Sequence, residues 1–204
     1  AGFTGKAIED GLAAQGIHTD FIHLPEGNSR INVKVKHGDE TEINGQGPVI
    51  TEEAINELFA KLATLTKEDI LVLAGSIPNT LPEDIYEKIL ARLESKGIRV
   101  VVDATKDLLL NVLKYHPFLI KPNNHELGEM FGIVCKTDED IVHYAKKLQE
   151  KGAVNVLISM AGDGAILITE DGQNIKMGTP KGKVVNSVGA GDSMVAGFIT
   201  GYIR

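Results

Sequence analysis

The chain has 204 residues, 43% of them hydrophobic and 24% charged. That composition is enough for one ordinary domain with a sizeable core, and it excludes global disorder. No run approaches the ~18 consecutive apolar residues of a membrane span, and 21 basic against 28 acidic residues, a net charge of −7, make a poor nucleic-acid or anionic-membrane binder.

The opening residues lack the basic head and apolar run of a secretory signal. Thr4 to Gln15 has helical spacing, with Ile8 and Leu12 one turn apart and Gly16 as the stop. Phe21 to Leu24 reads as a short strand. Ile31 to Lys36 alternates apolar and polar residues, Gly38-Asp39 marks a turn, and Glu40 to Ile43 returns, which predicts an antiparallel hairpin with Lys and Glu on its wet side. From Thr51 onward, Ile55, Leu58, Phe59 and Leu62 give the i, i+3, i+4, i+7 pattern of an amphipathic helix.

The rest alternates strands and helices. Asp69 to Ala74 is an apolar run of strand length. Thr80 and Glu83 have capping-box spacing before a helix carrying Ile85, Ile89 and Leu93, stopped by Gly97. Arg99 to Asp103 and Phe118 to Lys121 read as strands around a short helix over Leu108 to Leu113. A helix from about Asp138 to Lys151 turns Ile141, Ala145 and Leu148 inward. Val154 to Ser159 and Ala165 to Thr169 are strands joined across Gly162-Asp163-Gly164. The lone Cys135 reads as a small filler residue; it forms no internal disulfide, and a reducing cytoplasm is the expected compartment.

Continuous hydrophobic strands alternating with helices predict an α/β fold, with a mostly parallel sheet covered on both faces. Ligands in such sheets sit beyond the carboxyl ends of the strands. Gly75-Ser76, Asp103, Lys121 to Asn123, Ser159 and the cluster at Gly189 all fall there.

The sharpest pattern is Asn186-Ser-Val-Gly-Ala-Gly-Asp192-Ser-Met-Val-Ala-Gly-Phe198. Small residues let a phosphate approach the backbone, and the first turn of a helix offers unpaired N–H donors at its positive end. Asp192 could accept a hydroxyl proton beside such an anion hole, an arrangement suited to phosphoryl transfer. The plainer reading is a glycine-rich turn with Asp as a favourable first-turn residue. No Gly-Lys-Ser/Thr follows, so this is not a Walker loop. Asn123 and Glu126, three apart, either share a face toward magnesium-bound water or phosphate, or form a capping box, and both can hold at once.

This segment resembles the signature of the ribokinase-like carbohydrate kinases. Val72-Leu-Ala-Gly-Ser76-Ile-Pro, Lys121-Pro-Asn123-Asn-His-Glu126-Leu and Ser159-Met-Ala-Gly-Asp-Gly164 agree with that family in order and spacing. Arg30-Ile-Asn-Val-Lys and Glu42-Ile-Asn-Gly-Gln-Gly-Pro48 resemble its 1-phosphofructokinase branch more than the tagatose-6-phosphate kinases. The resemblance implies a three-layer sandwich with a small antiparallel lid over residues 30–45, all in one domain. It implies ATP as cosubstrate, Mg2+, a sugar phosphate as acceptor, and a lid that pairs with a second subunit.

By resemblance, Asp192 is the base, and Gly189, Ala190 and Gly191 supply the anion-hole amides. Lys121, Asn123 and Ser159, Met160, Ala161, Gly162, Asp163 and Gly164 border the nucleotide. Arg30 binds the substrate phosphate, Asn32 and Ser76 the sugar, and Glu126 with Asp103 holds the metal, Asp103 through water. Ordinary structural accounts stand beside several of these: a strand-end lysine with its ammonium in water for Lys121, a capping Asp for Asp103, a hairpin turn for Asp163-Gly164, a solvated Arg30 and a polar strand face for Asn32. The implied reaction is phosphorylation of fructose 1-phosphate to fructose 1,6-bisphosphate. Alternatives are a tagatose-6-phosphate or other ketohexose-phosphate kinase, and a non-catalytic sugar-phosphate or nucleotide sensor. An oxidoreductase is weaker, since no Gly-x-Gly-x-x-Gly opens the first strand–helix unit.

The chain departs from the family at its ends. It begins without Met, and 12 residues follow Asp192. Family members extend further on both sides, with a Gly-Gly-Lys-Gly stretch and an early Asp upstream and the rest of the nucleotide wall downstream. The expectation is therefore an excerpt of a longer polypeptide, or a shortened product of reduced activity.

Overall fold

The computed structural model describes residues 1–37, 39–75, 77–104 and 106–204, with all side chains except those of Lys34, Lys36, His37, Asp39, Glu40, Glu42 and Lys106. Ser76, assigned a sugar contact by resemblance, and the expected solvent-facing Lys and Glu of the hairpin lie outside that description. The chain divides into two compact units, residues 1–65 with 77–85, and residues 66–76 with 86–204.

In the first unit, helix α1 spans Gly2–Ala14. The Ala1 amine donates to Ser29 Oγ at 3.0 Å and the Thr4 hydroxyl to the Ser29 carbonyl at 2.8 Å. Phe21 to Leu24, expected as a strand, joins no ladder. β1 (Asn32–His37) and β2 (Asp39–Asn44) form the expected antiparallel hairpin, with Val33 opposite Ile43 and Val35 opposite Thr41. That register puts Val33, Val35 and Ile43 on one face, and all three are exposed. α2 (Glu52–Ala63) starts at Thr51, whose hydroxyl accepts from the Ala54 N–H, with Glu52 and Glu53 at its positive end.

The capping box expected at Thr80 and Glu83 does not form. α3 begins only at Ile85, because Pro82 keeps Leu81 out of helical backbone. The Thr80 hydroxyl donates instead to the Pro48 carbonyl.

The second unit is built on a six-stranded sheet in the order β3 (Ile70–Ala74), β4 (Arg99–Asp103), β5 (Leu119–Ile120), β6 (Asn155–Ser159), β7 (Ala165–Ile168), β8 (Asn174–Met177). β3 to β6 are parallel; β7 and β8 continue antiparallel. β8 was not expected: its four residues are all exposed and carry little apolar signal. α3 (Ile85–Leu93), α4 (Lys106–Val112), α5 (Asn124–Phe131) and α6 (Asp138–Glu150) connect the parallel strands, and α7 (Ala190–Tyr202) follows β8.

Both faces of the sheet centre are covered. Val101, Leu119 and Leu157 pack with Phe118 against Val195 of α7. Their strand neighbours Val102, Ile120, Val156 and Ile158, which point the other way, are fully buried as well. Ile141, Ala145 and Leu148 are the buried stripe of α6, as their spacing predicts. Among the described residues no helix is long and apolar enough to cross a membrane.

Candidate functional site

Parallel strands end on the same side, and the polar residues singled out from the sequence collect there in the second unit. At the end of β3 the chain turns at Gly75, whose φ of +85° suits glycine, and its N–H donates to the Asp103 carbonyl at 3.2 Å. The Tyr86 hydroxyl lies 3.0 Å from the Ala74 carbonyl and 3.1 Å from that of Gly75, and holds this turn from α3. Burial and the nearby Asp103 charge push the Tyr86 phenol above its ordinary range. No sequence motif announced Tyr86.

Lys121 directly follows β5, and its side chain is only 10% exposed. Its Nζ lies 3.2 Å from Asp103 Oδ1 at the end of β4, so this is a shielded ion pair. Beyond it, Asn123 pairs with Ser159 in a single parallel bridge, and the Ser159 N–H donates to the Pro122 carbonyl at 3.2 Å. Asn123 caps α5: its side chain accepts from the Glu126 N–H and Glu126 Oε2 accepts from the Asn123 N–H, both at 2.8 Å. The capping reading of this pair is thus realised, and it points the half-buried Glu126 carboxylate back at the strand end.

The start of α7 completes the rim. Gly189 adopts φ +79°, and no described side chain caps the helix. Ala190 donates its N–H to the Ser187 carbonyl at 3.2 Å. Of the amides expected to face an anion, that one is therefore engaged within the turn, and the donors beyond it belong to Gly191 and Asp192. Ser193 returns both its N–H and its hydroxyl to the Gly189 carbonyl, at 2.9 and 2.8 Å. A Cβ on Gly191 would stand 2.9 Å from Lys121 Nζ, so the ammonium packs directly against this first turn. Asp192 and Asp103 line one cavity of about 160 Å³, otherwise walled by Val72, Ala74, Val195, Ala196 and Ile199.

Ser159 to Gly164 lead from β6 into β7. β6 and β7 form the expected antiparallel hairpin, and its connection is a 3-10 turn over Ala161–Asp163, closed by the Met160 N–H to the Gly164 carbonyl at 2.8 Å. Ala161 takes a left-handed φ of +47°, unusual for a residue with a Cβ. Gly164, at φ +90°, lies so close to the Met177 carbonyl of β8 that a Cβ would meet it at 2.0 Å. The Thr179 hydroxyl donates to the Gly162 carbonyl at 3.1 Å. Both outer partners come from the strand and loop the sequence did not signal.

Arg30 and Asn32 belong to the first unit. Arg30 is half-buried just before β1, and Asn32 is exposed, opposite Asn44.

No three His, Cys, Asp or Glu side chains among the described residues are grouped to hold a metal ion. With one oxygen of Asp103 on Lys121 and one of Glu126 on an amide, the residues fit magnesium only in its usual manner, where waters and nucleotide phosphates supply most ligands and a carboxylate or two the rest.

The model of the pfkB family of carbohydrate kinases matches residues 1–204. The chain is 51% identical over 203 residues to 1-phosphofructokinase of Bacillus subtilis, covering 100% of this chain and 66% of that protein. It is 38% identical to D-tagatose-1-phosphate kinase of Bacillus licheniformis, covering 97% of this chain and 65% of that one. A Staphylococcus aureus crystal structure provisionally named a phosphofructokinase superposes with a TM-score of 0.87 at 46% identity, over 98% of this chain and 65% of that one. The chain therefore spans just under two thirds of the length of these relatives.

Proposed function

The chain belongs to the pfkB family of carbohydrate kinases, and from that premise we propose that the protein carrying it is an ATP-dependent sugar-phosphate kinase that converts fructose 1-phosphate to fructose 1,6-bisphosphate. The observation that carries the reading is the meeting of Asp192, an uncapped glycine-rich helix start and the Lys121 ammonium at the carboxyl edge of a parallel sheet. The 51% identity to a 1-phosphofructokinase favours that acceptor.

In this reading the Asp192 carboxylate takes the proton of the sugar 6-hydroxyl as that oxygen bonds to the γ-phosphorus. The bond from phosphorus to the β–γ bridging oxygen breaks, and ADP leaves with the electron pair. The N–H groups at the start of α7 and Lys121 face the charge on the transferring phosphoryl oxygens. Magnesium, held by phosphates, water and Glu126, would neutralise the phosphate chain. Asn123 and residues 159–164 border the nucleotide, and Arg30 and Asn32 take the sugar phosphate. The hairpin β1–β2 serves as a lid that pairs with a second subunit, supported by its exposed Val33, Val35 and Ile43. A cytoplasmic location belongs to the same reading.

The test is Asp192→Asn in the full-length protein. Loss of the base is expected to lower kcat by roughly 10²–10⁴-fold with fructose 1-phosphate binding near normal. Near-normal turnover in that variant would falsify the mechanism. A second acceptor, tagatose 1-phosphate, is favoured by the 38% identity to a kinase of that name. Ranking a panel of ketohexose phosphates by kcat/KM decides between them, and sugar-dependent ATP consumption separates either from a non-catalytic sensor.

A further inference from the structure

Lys121 is an odd residue to find where it is. A cation beside a helix N-terminus faces the positive end of the helix dipole, which disfavours it. Its side chain is also nine-tenths shielded from water. Two features hold it there. Asp103 Oδ1 stands 3.2 Å from its Nζ, and Gly191 leaves open the place where any Cβ would come within 2.9 Å of Nζ and 3.2 Å of Cε. A charge kept in an unfavourable field by one dedicated carboxylate and one missing side chain is arranged for an anion to arrive.

Resting on the kinase reading above, we propose that Asp103 and Gly191 are positioning residues for Lys121: together they fix its ammonium against the first turn of α7, so that it and the Gly191 and Asp192 amides meet the same phosphoryl oxygens. Asp103 then acts through the lysine, beyond any contribution to metal binding. Gly191 is small to seat the ammonium as well as to let phosphate approach. The carboxylate also offsets the charge of the shielded lysine.

Two measurements test this on the full-length protein and its Asp103→Asn, Gly191→Ala, Lys121→Met and Asp103→Asn/Lys121→Met variants. The first maps lysine acetylation by acetic anhydride with mass spectrometry and needs no turnover. Lys121 should react slowly in the parent protein, and several-fold faster in both Asp103→Asn and Gly191→Ala, while the other lysines keep their rates. The second is kinetic, at saturating Mg2+. Displacing a reacting-site group by about 1 Å costs roughly 100-fold, so Asp103→Asn should lose kcat on that scale with KM for the sugar phosphate little changed. Lys121→Met should lose at least as much, and the double variant no more than Lys121→Met alone.

An unchanged Lys121 acetylation rate in both Asp103→Asn and Gly191→Ala overturns the proposal, whether or not the protein proves to be a kinase. So does a multiplicative loss in the double variant, or recovery of Asp103→Asn at high Mg2+, which would make Asp103 a metal carboxylate and nothing more. Sugar-dependent ATP consumption absent from the parent protein would sink the kinase reading instead, and the acetylation result would still decide the positioning claim.

Discussion

Glu126 has two readings, and one pair of substitutions separates them. Its Oε2 accepts the Asn123 N–H at 2.8 Å while its own N–H is accepted by Asn123 Oδ1. A glutamine keeps the reciprocal bond, because its amide oxygen is an equally placed acceptor. What Glu126→Gln removes is a negative charge in the first turn of α5, worth about 0.3–1 kcal/mol against the helix dipole. Glu126→Ala removes the bond as well, about 1 kcal/mol more. Urea unfolding should therefore rank the parent above the Gln variant and the Gln variant above the Ala variant, in small steps. The magnesium requirement should follow another order. If the carboxylate helps hold the ion, both variants need roughly 10–100-fold more Mg2+ for half-maximal activity, despite their different stabilities. A glutamine variant with the parent's Mg2+ requirement would leave Glu126 as a helix cap alone.

Two further expectations concern stability. Asn155 is buried, its amide donating to the Phe118 carbonyl and accepting from the Glu170 N–H, both at 2.9 Å, so it ties β6 to the β5 entry and the β7–β8 turn. Asn155→Ala removes both bonds and strands a donor, and should cost about 2–4 kcal/mol in urea unfolding. Asp140 accepts from the Lys136 and Thr137 N–H groups at the start of α6, and these bonds hold its carboxyl below its ordinary range. A carboxyl depressed in the folded state stabilises above its unfolded pKa, and that stabilisation is lost as pH falls toward the folded value. Asp140→Asn should therefore flatten the acid limb of the stability profile and leave its neutral shape unchanged; an unaltered acid limb refutes it.

What the sequence conveyed depended on whether the physics was local. Helices with one apolar stripe, α2 and α6, were legible because a 3.6-residue period is enough to define the buried face; that Thr51 and Thr137 cap them is seen in the structure. The strands β3, β4 and β6 declared themselves as apolar runs ending in small or polar residues, although only β4 and β6 are buried along most of their length. Where proline overrode a capping pattern, as at Thr80, spacing misled. Where the strand was an exposed ribbon, as at β8, there was no apolar signal to read.

The site divides along the same line. Asn123 with Glu126, and the Gly189 to Asp192 turn, are short-range patterns whose geometry a reader can build from spacing. The pairing of Asp103 with Lys121 joins residues 18 positions apart in the chain, and the seat for that ammonium lies 70 positions further on at Gly191. Only the sheet brings them together: β4 and β5 are parallel neighbours in register, so their carboxyl ends must lie side by side, and α7 crosses both through Val195. A lysine at the end of a central strand has nowhere to send its charge except along that rim. Once the rim holds a helix start that attracts anions, a cation there needs a carboxylate beside it and no side chain in its way. The ion pair at this rim thus follows from strand order as much as from motif, and the residue types alone did not show that the Lys121 ammonium lies shielded beside Asp103 and not out in water.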